Sequence, residues 1–489
     1  LKPGWEAVIG LEVHVQIRTR TKLFCACPAE FGAEPNSHIC PVCAGHPGVL
    51  PVLNRRALEG LVKTALAVGC RINGRSVFAR KQYFYPDLPK GYQISQYELP
   101  LAVEGRLEIS TEAGARVVGI ERIHLEEDAG KLLHAVGSRA LDYSLVDLNR
   151  TGVPLMEIVS KPDMRTPEEA AEYLVQMRNV VRTVGASECD MEKGSMRCDA
   201  NVSVRKVGET ALGVKAEVKN MNSFKAVKDA VAFEIERQIR LLEEGGRVVQ
   251  ETRLWDQAEG TTRSMRSKEE AHDYRYFPDP DLPPVELSDA QIEEWRRSLP
   301  ELPEVRRARF EKDLGLSAYD ANVLTAEKVL ADFFEEGLAV FPAAERRAGA
   351  KPLVNWLTTE LLGRLNAKKK ELSESPVPAR HVGELTRLVV AGTVNSKAAK
   401  MVFDEMFAGG GSPEEIVKKK GLVQVEDEGQ IKAWVDEVIA ANAKIVADVK
   451  GGKEAALGAL VGQVMKKSSG RANPNTVNKL LREVLLSPR

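Results

Sequence analysis

The chain has 489 residues, 43% hydrophobic and 28% charged, with 69 Lys and Arg against 70 Asp and Glu for a net charge of −1. That length is too great for one core and points to about three domains, while the charge balance excludes a global basic field, so any nucleic-acid footprint must be local. No apolar run approaches the roughly 20 residues of a membrane helix, so no membrane partner is expected. The start, Leu-Lys-Pro-Gly-Trp, has no apolar h-region and does not read as a secretory signal. Seven cysteines over this length do not make a disulfide scaffold. Four of them cluster in a metal-like pattern, which fits a reducing cytoplasm.

Residues 8–17 alternate, with Ile9, Leu11, Val13, Val15 and Ile17 on one side and Gly10, Glu12, His14 and Gln16 on the other. A period of two predicts a strand with one buried face. Glu12 and His14 then project together, roughly 7 Å apart along the strand, close enough to share a metal ion or a phosphate. Cys25-Ala-Cys27 follows, then twelve residues, then Cys40-Pro-Val-Cys43. Two thiolate pairs on short knuckles fit a closed tetrahedral zinc site with a structural role. Residues 54–68 read as a helix through Leu58, Leu61, Val62, Ala65 and Leu66, stopped by Gly69. Residues 81–97 are rich in aromatics and broken by Pro and Gly, with Lys81, Gln82, Lys90 and Gln93 among them. Such a mixture lines pockets or channels, or pins a loop to a core.

Residues 117–128 alternate weakly as another strand and end in Glu126-Glu127-Asp128. Three adjacent acids repel one another unless a cation answers them, and Mg²⁺ is suited to that. Residues 147–157 form a turn and strand that add Glu157. Thr166-Pro-Glu-Glu169 opens a helix, with Thr166 as N-cap and Glu169 closing a capping box. In the strand that follows, Ala200, Val202 and Val204 point to the core and Asp199, Asn201, Ser203 and Arg205 away from it. Residues 214–220 repeat the pattern, with Val214, Ala216 and Val218 inward and Lys215, Glu217 and Lys219 outward. Carboxylates to hold a metal and cations to answer phosphate are what phosphoryl chemistry requires, although no P-loop or kinase Gly-rich motif is present.

A helix is expected over 222–242. Residues 263–284 are dense in Arg, Tyr and Asp, and the prolines at their end mark the exit from the first domain. From Ser288 strand signals vanish. Ser288-Asp-Ala-Gln291 and Ser317-Ala-Tyr-Asp320 read as helix starts, the second with Tyr319, Val323, Leu330, Phe334 and Leu338 on one face. Ser412-Pro-Glu-Glu415 opens the last segment. From Val464 onward six Lys and Arg, including Lys466, Lys467 and Arg471, stand against Glu483 alone, and Asn473 caps a helix with Pro474 at N1. This basic loop is either a solvated tail or a phosphate-backbone contact suited to RNA.

Taken together, Val-Ile-Gly-Leu-Glu-Val-His-Val, the cysteine quartet, Tyr-Pro-Asp-Leu-Pro-Lys-Gly-Tyr-Gln-Ile-Ser-Gln, His-Leu-Glu-Glu-Asp-Ala-Gly-Lys, Asp-Leu-Asn-Arg-Thr-Gly-Val-Pro-Leu-Met-Glu-Ile and Gly-Ser-Met-Arg-Cys-Asp-Ala-Asn-Val-Ser resemble the B-subunit family of the tRNA-dependent amidotransferases over nearly the whole chain. The resemblance implies an α+β protein. An N-terminal cradle domain with a mixed or antiparallel sheet and a zinc knuckle (1–290) is followed by an all-α helical domain (291–408) and a small α-helical YqeY-like tail (409–489). It implies ATP-dependent amidation of misacylated Glu-tRNA(Gln), Asp-tRNA(Asn) or both. The implied partners are an amidase subunit that releases ammonia from glutamine, a small subunit that bridges the other two in a heterotrimer, and an aminoacyl-tRNA synthetase. Its implied cofactors are ATP, Mg²⁺ and structural Zn²⁺ on Cys25, Cys27, Cys40 and Cys43. The expected Mg²⁺ ligands and catalytic residues are Glu12, His14, Glu127 and Glu157. Glu126 can stand in for Glu127, because alternation does not choose between neighbours there, and Gln16 is not expected to be a ligand. Asp199, Asn201, Ser203, Arg205, Lys215, Glu217 and Lys219 are expected at ATP or the aminoacyl end. Lys81, Tyr83, Tyr85, Lys90 and Gln93 are expected along a pocket or ammonia route, and Lys466, Lys467, Arg471 and Asn473 at tRNA.

Overall fold

The computed structural model describes residues 2–112, 114–137, 139–267, 274–423, 427–451, 456–468 and 471–486. Residues 268–273 of the Arg/Tyr/Asp-rich segment lie outside the described residues. The chain divides into two compact units, Leu1–Pro303 and Glu304–Arg489.

The first unit is built on a nine-stranded sheet. Its spatial order is Thr261–Ser267, Glu251–Asp256, Ala216–Met221, Met196–Lys206, β1 (Trp5–Gln16), Pro154–Ser160, Gly114–Glu127, Ala102–Thr111 and Arg71–Ile72. Neighbours run antiparallel except Ala216–Met221 and Glu251–Asp256, which pair in parallel. Ile9, Leu11, Val13 and Val15 of β1 are fully buried, as the alternation predicts. A slip of one residue in β1 would turn this row out of the core, at roughly 1.5–3 kcal/mol per side chain. The hydrophobic pattern therefore holds the register that positions Glu12 and His14.

Three helices cover the buried face: α1 (Arg55–Ala67), α2 (Pro167–Thr183) and α3 (Phe224–Glu243). Asn54 caps α1 by accepting from the Arg56 and Ala57 amides, and Gly69, at φ +68°, ends it. Thr166 caps α2 as expected, but Glu169 does not close the box on Thr166. Its carboxylate accepts from the Arg165 amide at 2.6 Å and from Arg116 at 2.7 Å, because that cation offers a stronger partner than the cap amide. The strand expected from Val214 begins at Ala216, and Val214 is exposed. Helix α4 (Asp289–Arg297), opened by Ser288, seats Trp295 in the core of this first unit.

The second unit is all helical among the described residues, so the α+β class stands. One apolar cluster runs from Phe310 to Val417 and a second from Ile431 to Leu485. The face expected to continue from Tyr319 is interrupted. The helix Ala318–Thr325 stops, a new one spans Lys328–Leu338, and Tyr319 is exposed while Leu330, Phe334 and Leu338 are buried. Trp356–Leu361 forms a π-helical segment between Arg346–Asn355 and Leu362–Ala367. Ser412 and Glu415 complete the capping box reciprocally. Asn473 accepts from the Asn475 and Thr476 amides at the head of Pro474–Leu486. No helix among the described residues is long and apolar enough to cross a membrane.

Candidate active site

Antiparallel pairing sets Arg197, His14, Glu157 and His124 side by side on successive strands, on the face turned away from α1–α3. Asp199 stands opposite Glu12. Glu126 lies two residues beyond His124 and so shares its face. The His14 Nε2 atom is 3.4 Å from Glu157, 3.7 Å from Glu126 and 3.7 Å from Glu12. His124 Nε2 lies 3.5 Å from Glu157 and 3.8 Å from Glu126. His124, Glu126 and Glu157 are buried, and among the described residues the His124 Nδ1 atom has no hydrogen-bond partner.

The electrostatics of this cluster couple buried carboxylates to imidazoles and to Lys81. Burial disfavours a charged imidazole at His14, but the hydrogen bond to Glu157 and the charges of Glu126, Glu157 and Glu12 outweigh it and hold His14 up at about 9. Burial also pushes Glu157 up, yet His124, His14 and Lys81 carry it well below the usual carboxylate range. Glu12 is raised, first by burial and then by the neighbouring Glu157 charge. Ligand atoms of His14, Glu126 and Glu157 lie within 4.8 Å of one another, as do those of Glu12, His14 and Asp199. Carboxylate oxygens with an imidazole fit a hard divalent cation such as Mg²⁺.

Of the expected metal ligands, the fold brings Glu12, His14 and Glu157 together, with Glu126 as the fourth. Glu127 points away. It forms an ion pair with Lys90 and accepts from the Ile94 amide at 2.9 Å, while its carbonyl accepts from Gln93 at 2.8 Å. Glu127 and Lys90 line a cavity of about 230 Å³ with Tyr92, Ile94, Lys22 and Cys43. Tyr83 donates to Gln93 at 3.4 Å, and Tyr85 is half exposed. Lys81 turns toward the carboxylate–imidazole cluster, its Nζ 5.0 Å from the Tyr274 ring centre; burial opposes its charge, but Glu126 and Glu157 hold its pKa above the ordinary lysine value.

Among the remaining candidates, Lys219 forms an ion pair with Asp199 and lies 3.1 Å from Glu217, so these three border Glu12. Asn201 is opposite Gly10. Ser203 is buried opposite Val8, Arg205 is held by Glu6 at 2.8 Å, and Lys215 is exposed ahead of its strand, so these three stand apart from the cluster. Gln16 donates to Asp128 at 2.8 Å, and Arg197 meets the same carboxylate at 2.8 Å.

His124, Arg197 and Arg122, the last 3.7 Å from Glu157, are additions that sequence reasoning missed. The signal for His124 was its spacing from Glu126, a His-x-Glu on a strand that mirrors Glu12-x-His14. Recognising it required the register against Glu157.

The four cysteine sulfurs lie within 4.8 Å of one another, with Cys40 and Cys43 3.9 Å apart. A zinc tetrahedron with bonds of about 2.3 Å has edges of roughly 3.8 Å, so the set fits the ion. In the second unit, Lys466 and Arg471 line a cavity of about 470 Å³ with Lys397. Lys467 pairs with Glu437.

A sheet carrying acid and imidazole rows, a cysteine knuckle ahead of them and a helical C-terminal part define the class. Residues 7–293 match the GatB/GatE catalytic domain and residues 332–485 match the GatB domain. The chain belongs to the GatB family. The aspartyl/glutamyl-tRNA(Asn/Gln) amidotransferase B subunit of Carboxydothermus hydrogenoformans is 56% identical over 98% of this chain and 99% of its own length. The proteins of the same name from Geotalea daltonii and Moorella thermoacetica are 54% and 53% identical, each over 98% of this chain and over 98% and 100% of their own lengths.

Proposed function

We propose that this chain is the tRNA-amidating subunit of a glutamine-hydrolysing amidotransferase, acting in the cytoplasm with an amidase and a small bridging protein as its two partner subunits. Its substrate is misacylated Glu-tRNA(Gln), Asp-tRNA(Asn) or both. The side-chain carboxylate takes the terminal phosphoryl group of ATP, releasing ADP. Ammonia supplied by the amidase then forms the C–N bond, the C–O bond to phosphate breaks, and inorganic phosphate leaves with loss of a proton from nitrogen. Without phosphorylation the carboxylate oxygen is too poor a leaving group for this exchange.

The observation that carries this reading is the cluster of Glu12, His14, Glu126 and Glu157 on one sheet face. These residues would hold Mg²⁺, which neutralises charge on the phosphoryl group. Asp199, Glu217 and Lys219 border the cluster where nucleotide or the aminoacyl end would lie. Lys81 supplies a cation beside it. The cavity at Lys90 and Glu127 is the candidate for the ammonia route, because it is lined by Lys90 of the expected set. Zinc on the cysteine quartet is structural, and Lys466, Lys467, Arg471 and Asn473 serve tRNA in the tail.

The test uses the complex of this chain with its amidase and small partners, given misacylated tRNA, ATP, Mg²⁺ and free ammonia so that the glutaminase is bypassed. His14→Ala and Glu126→Ala should lose amide formation while retaining tRNA binding. Amidation at the wild-type rate in both variants would place the phosphorylation site elsewhere.

A further inference from the structure

Lys22 takes no part in the phosphoryl-transfer cluster, although it borders the cavity at Lys90 and Glu127. It is 1% exposed, and an ammonium at that depth requires partners. It donates to the His38 carbonyl at 2.6 Å, to the Leu148 carbonyl at 3.4 Å and to Cys43 Sγ at 3.6 Å. Among the described residues no carboxylate forms an ion pair with it. His38 belongs to the loop between the two cysteine pairs, and Leu148 to the turn that leads into the strand carrying Glu157.

The same loop and turn are strapped together by side-chain amides. Asn36 Nδ2 donates to the Val146 carbonyl at 2.9 Å and its Oδ1 accepts from the Leu148 amide at 2.8 Å. The His38 amide donates to Asn149 at 2.8 Å, and Asn149 donates to the Glu34 carbonyl at 2.6 Å. Gly152 closes the turn at φ +80°, and a Cβ there would lie 3.5 Å from Cys43 Cβ and 3.6 Å from the Lys22 stem. The Leu23 amide donates to the Gly152 carbonyl at 2.8 Å, and the Gly152 amide to the Asp128 carbonyl at 2.9 Å. Four thiolates around Zn²⁺ leave a net charge of −2 (2 − 4) in a partly buried site, and Lys22 is the cation placed to answer it.

We propose that Lys22 is the outer partner of the zinc-bound Cys43 thiolate, and that through it the metal holds the 147–152 turn against the start of the Glu157 strand. Lys22 is thus a positioning residue: its ammonium is held by the knuckle and the 147–152 turn, it stands apart from the phosphoryl-transfer cluster, and only its flank borders the cavity at Lys90 and Glu127. The inference rests on the reading of the quartet as a zinc site.

The test compares the full-length wild type with Lys22→Met and Lys22→Arg. Competition with a chelator should show zinc bound about 10–100-fold more weakly in Lys22→Met, the usual cost of losing an outer-shell partner, with much of the loss restored in Lys22→Arg. In cobalt-substituted protein the thiolate-to-metal charge-transfer band should move to lower energy in Lys22→Met, because a thiolate relieved of a hydrogen bond donates more strongly. Amide hydrogen exchange over 147–152 should rise both in Lys22→Met and in zinc-stripped wild type. Unchanged zinc affinity with an unshifted cobalt band in Lys22→Met overturns the inference alone. So does unchanged exchange over 147–152 in stripped wild type, a measurement that stands even if Lys22→Met does not fold. A wild type that takes up no zinc overturns the zinc reading and this inference with it.

Discussion

Glu234, on α3, is fully buried, and its oxygens accept from Arg237 at 2.6 and 2.9 Å, from Gln238 at 2.9 Å and from Thr262 at 3.2 Å, with Arg253 at 3.4 Å. Glu157, buried in the same unit, faces His14 at 3.4 Å, His124 at 3.5 Å and Arg122 at 3.7 Å, with Glu12 and Glu126 gathered on the same imidazoles. The first cluster is closed: each oxygen of Glu234 has a short donor and two guanidinium groups answer its charge. The second is open: three carboxylates share His14, His124 and Arg122, and every one of these contacts is 3.4 Å or longer. A closed cluster serves stability, whereas an open one has capacity for a further cation.

The largest effect should come from the open cluster and appear in activity. Glu157→Gln is expected to lower amide formation by about 1000-fold or more, about 4 kcal/mol of lost transition-state stabilisation, while the variant melts within a few degrees of wild type. A variant that amidates normally would dissolve the distinction. Next comes Glu234→Gln. Removing one member of a buried ion cluster should cost about 3 kcal/mol of stability, read by denaturant titration, with activity per folded molecule retained. Wild-type stability for this variant would show the closed cluster to be inert.

Metal addition sharpens the contrast further. Mg²⁺ at 100 times its dissociation constant should stabilise the wild type by about 2.7 kcal/mol, seen as a rise in melting temperature. Glu12→Gln should abolish that rise and Glu234→Gln should keep it; an equal rise in both variants would place the ion elsewhere. The smallest effect concerns acid. Burial works against a charged Glu251, but its hydrogen bonds to Ser264 and Arg253 outweigh this and hold it below the ordinary glutamate value of 4.5. A carboxylate depressed in the folded state adds stability that is present above its unfolded pKa and lost as pH falls through the folded one. Melting temperature should therefore fall more steeply below about pH 4.5 in wild type than in Glu251→Gln; parallel curves would remove Glu251 from the acid response.

Much of this architecture was legible locally. The alternation in residues 8–17, the helical spacing over 54–68, the caps at Thr166, Ser412 and Asn473, and the cysteine spacing each depend on residues a few positions apart, and the structure reproduces the elements they announce. Errors arose where a local pattern met a stronger distant partner. Glu169 turned to Arg116 instead of its own cap, and Val214 fell outside a strand that begins only where Ala216 pairs with Val202.

What the sequence by itself determined was therefore an inventory with local geometry: Glu12 and His14 on one strand face, four thiols at knuckle spacing, and a helical C-terminal half. Tertiary structure decided which residues meet. Glu126 rather than Glu127 joins the carboxylate–imidazole cluster because Glu157 pairs with His124, and Lys22 finds Leu148 across 126 positions of chain. Alternation and capping are set by neighbours along the backbone. Register between strands more than a hundred residues apart is set by which hydrophobic rows bury together, and only the folded core makes that choice.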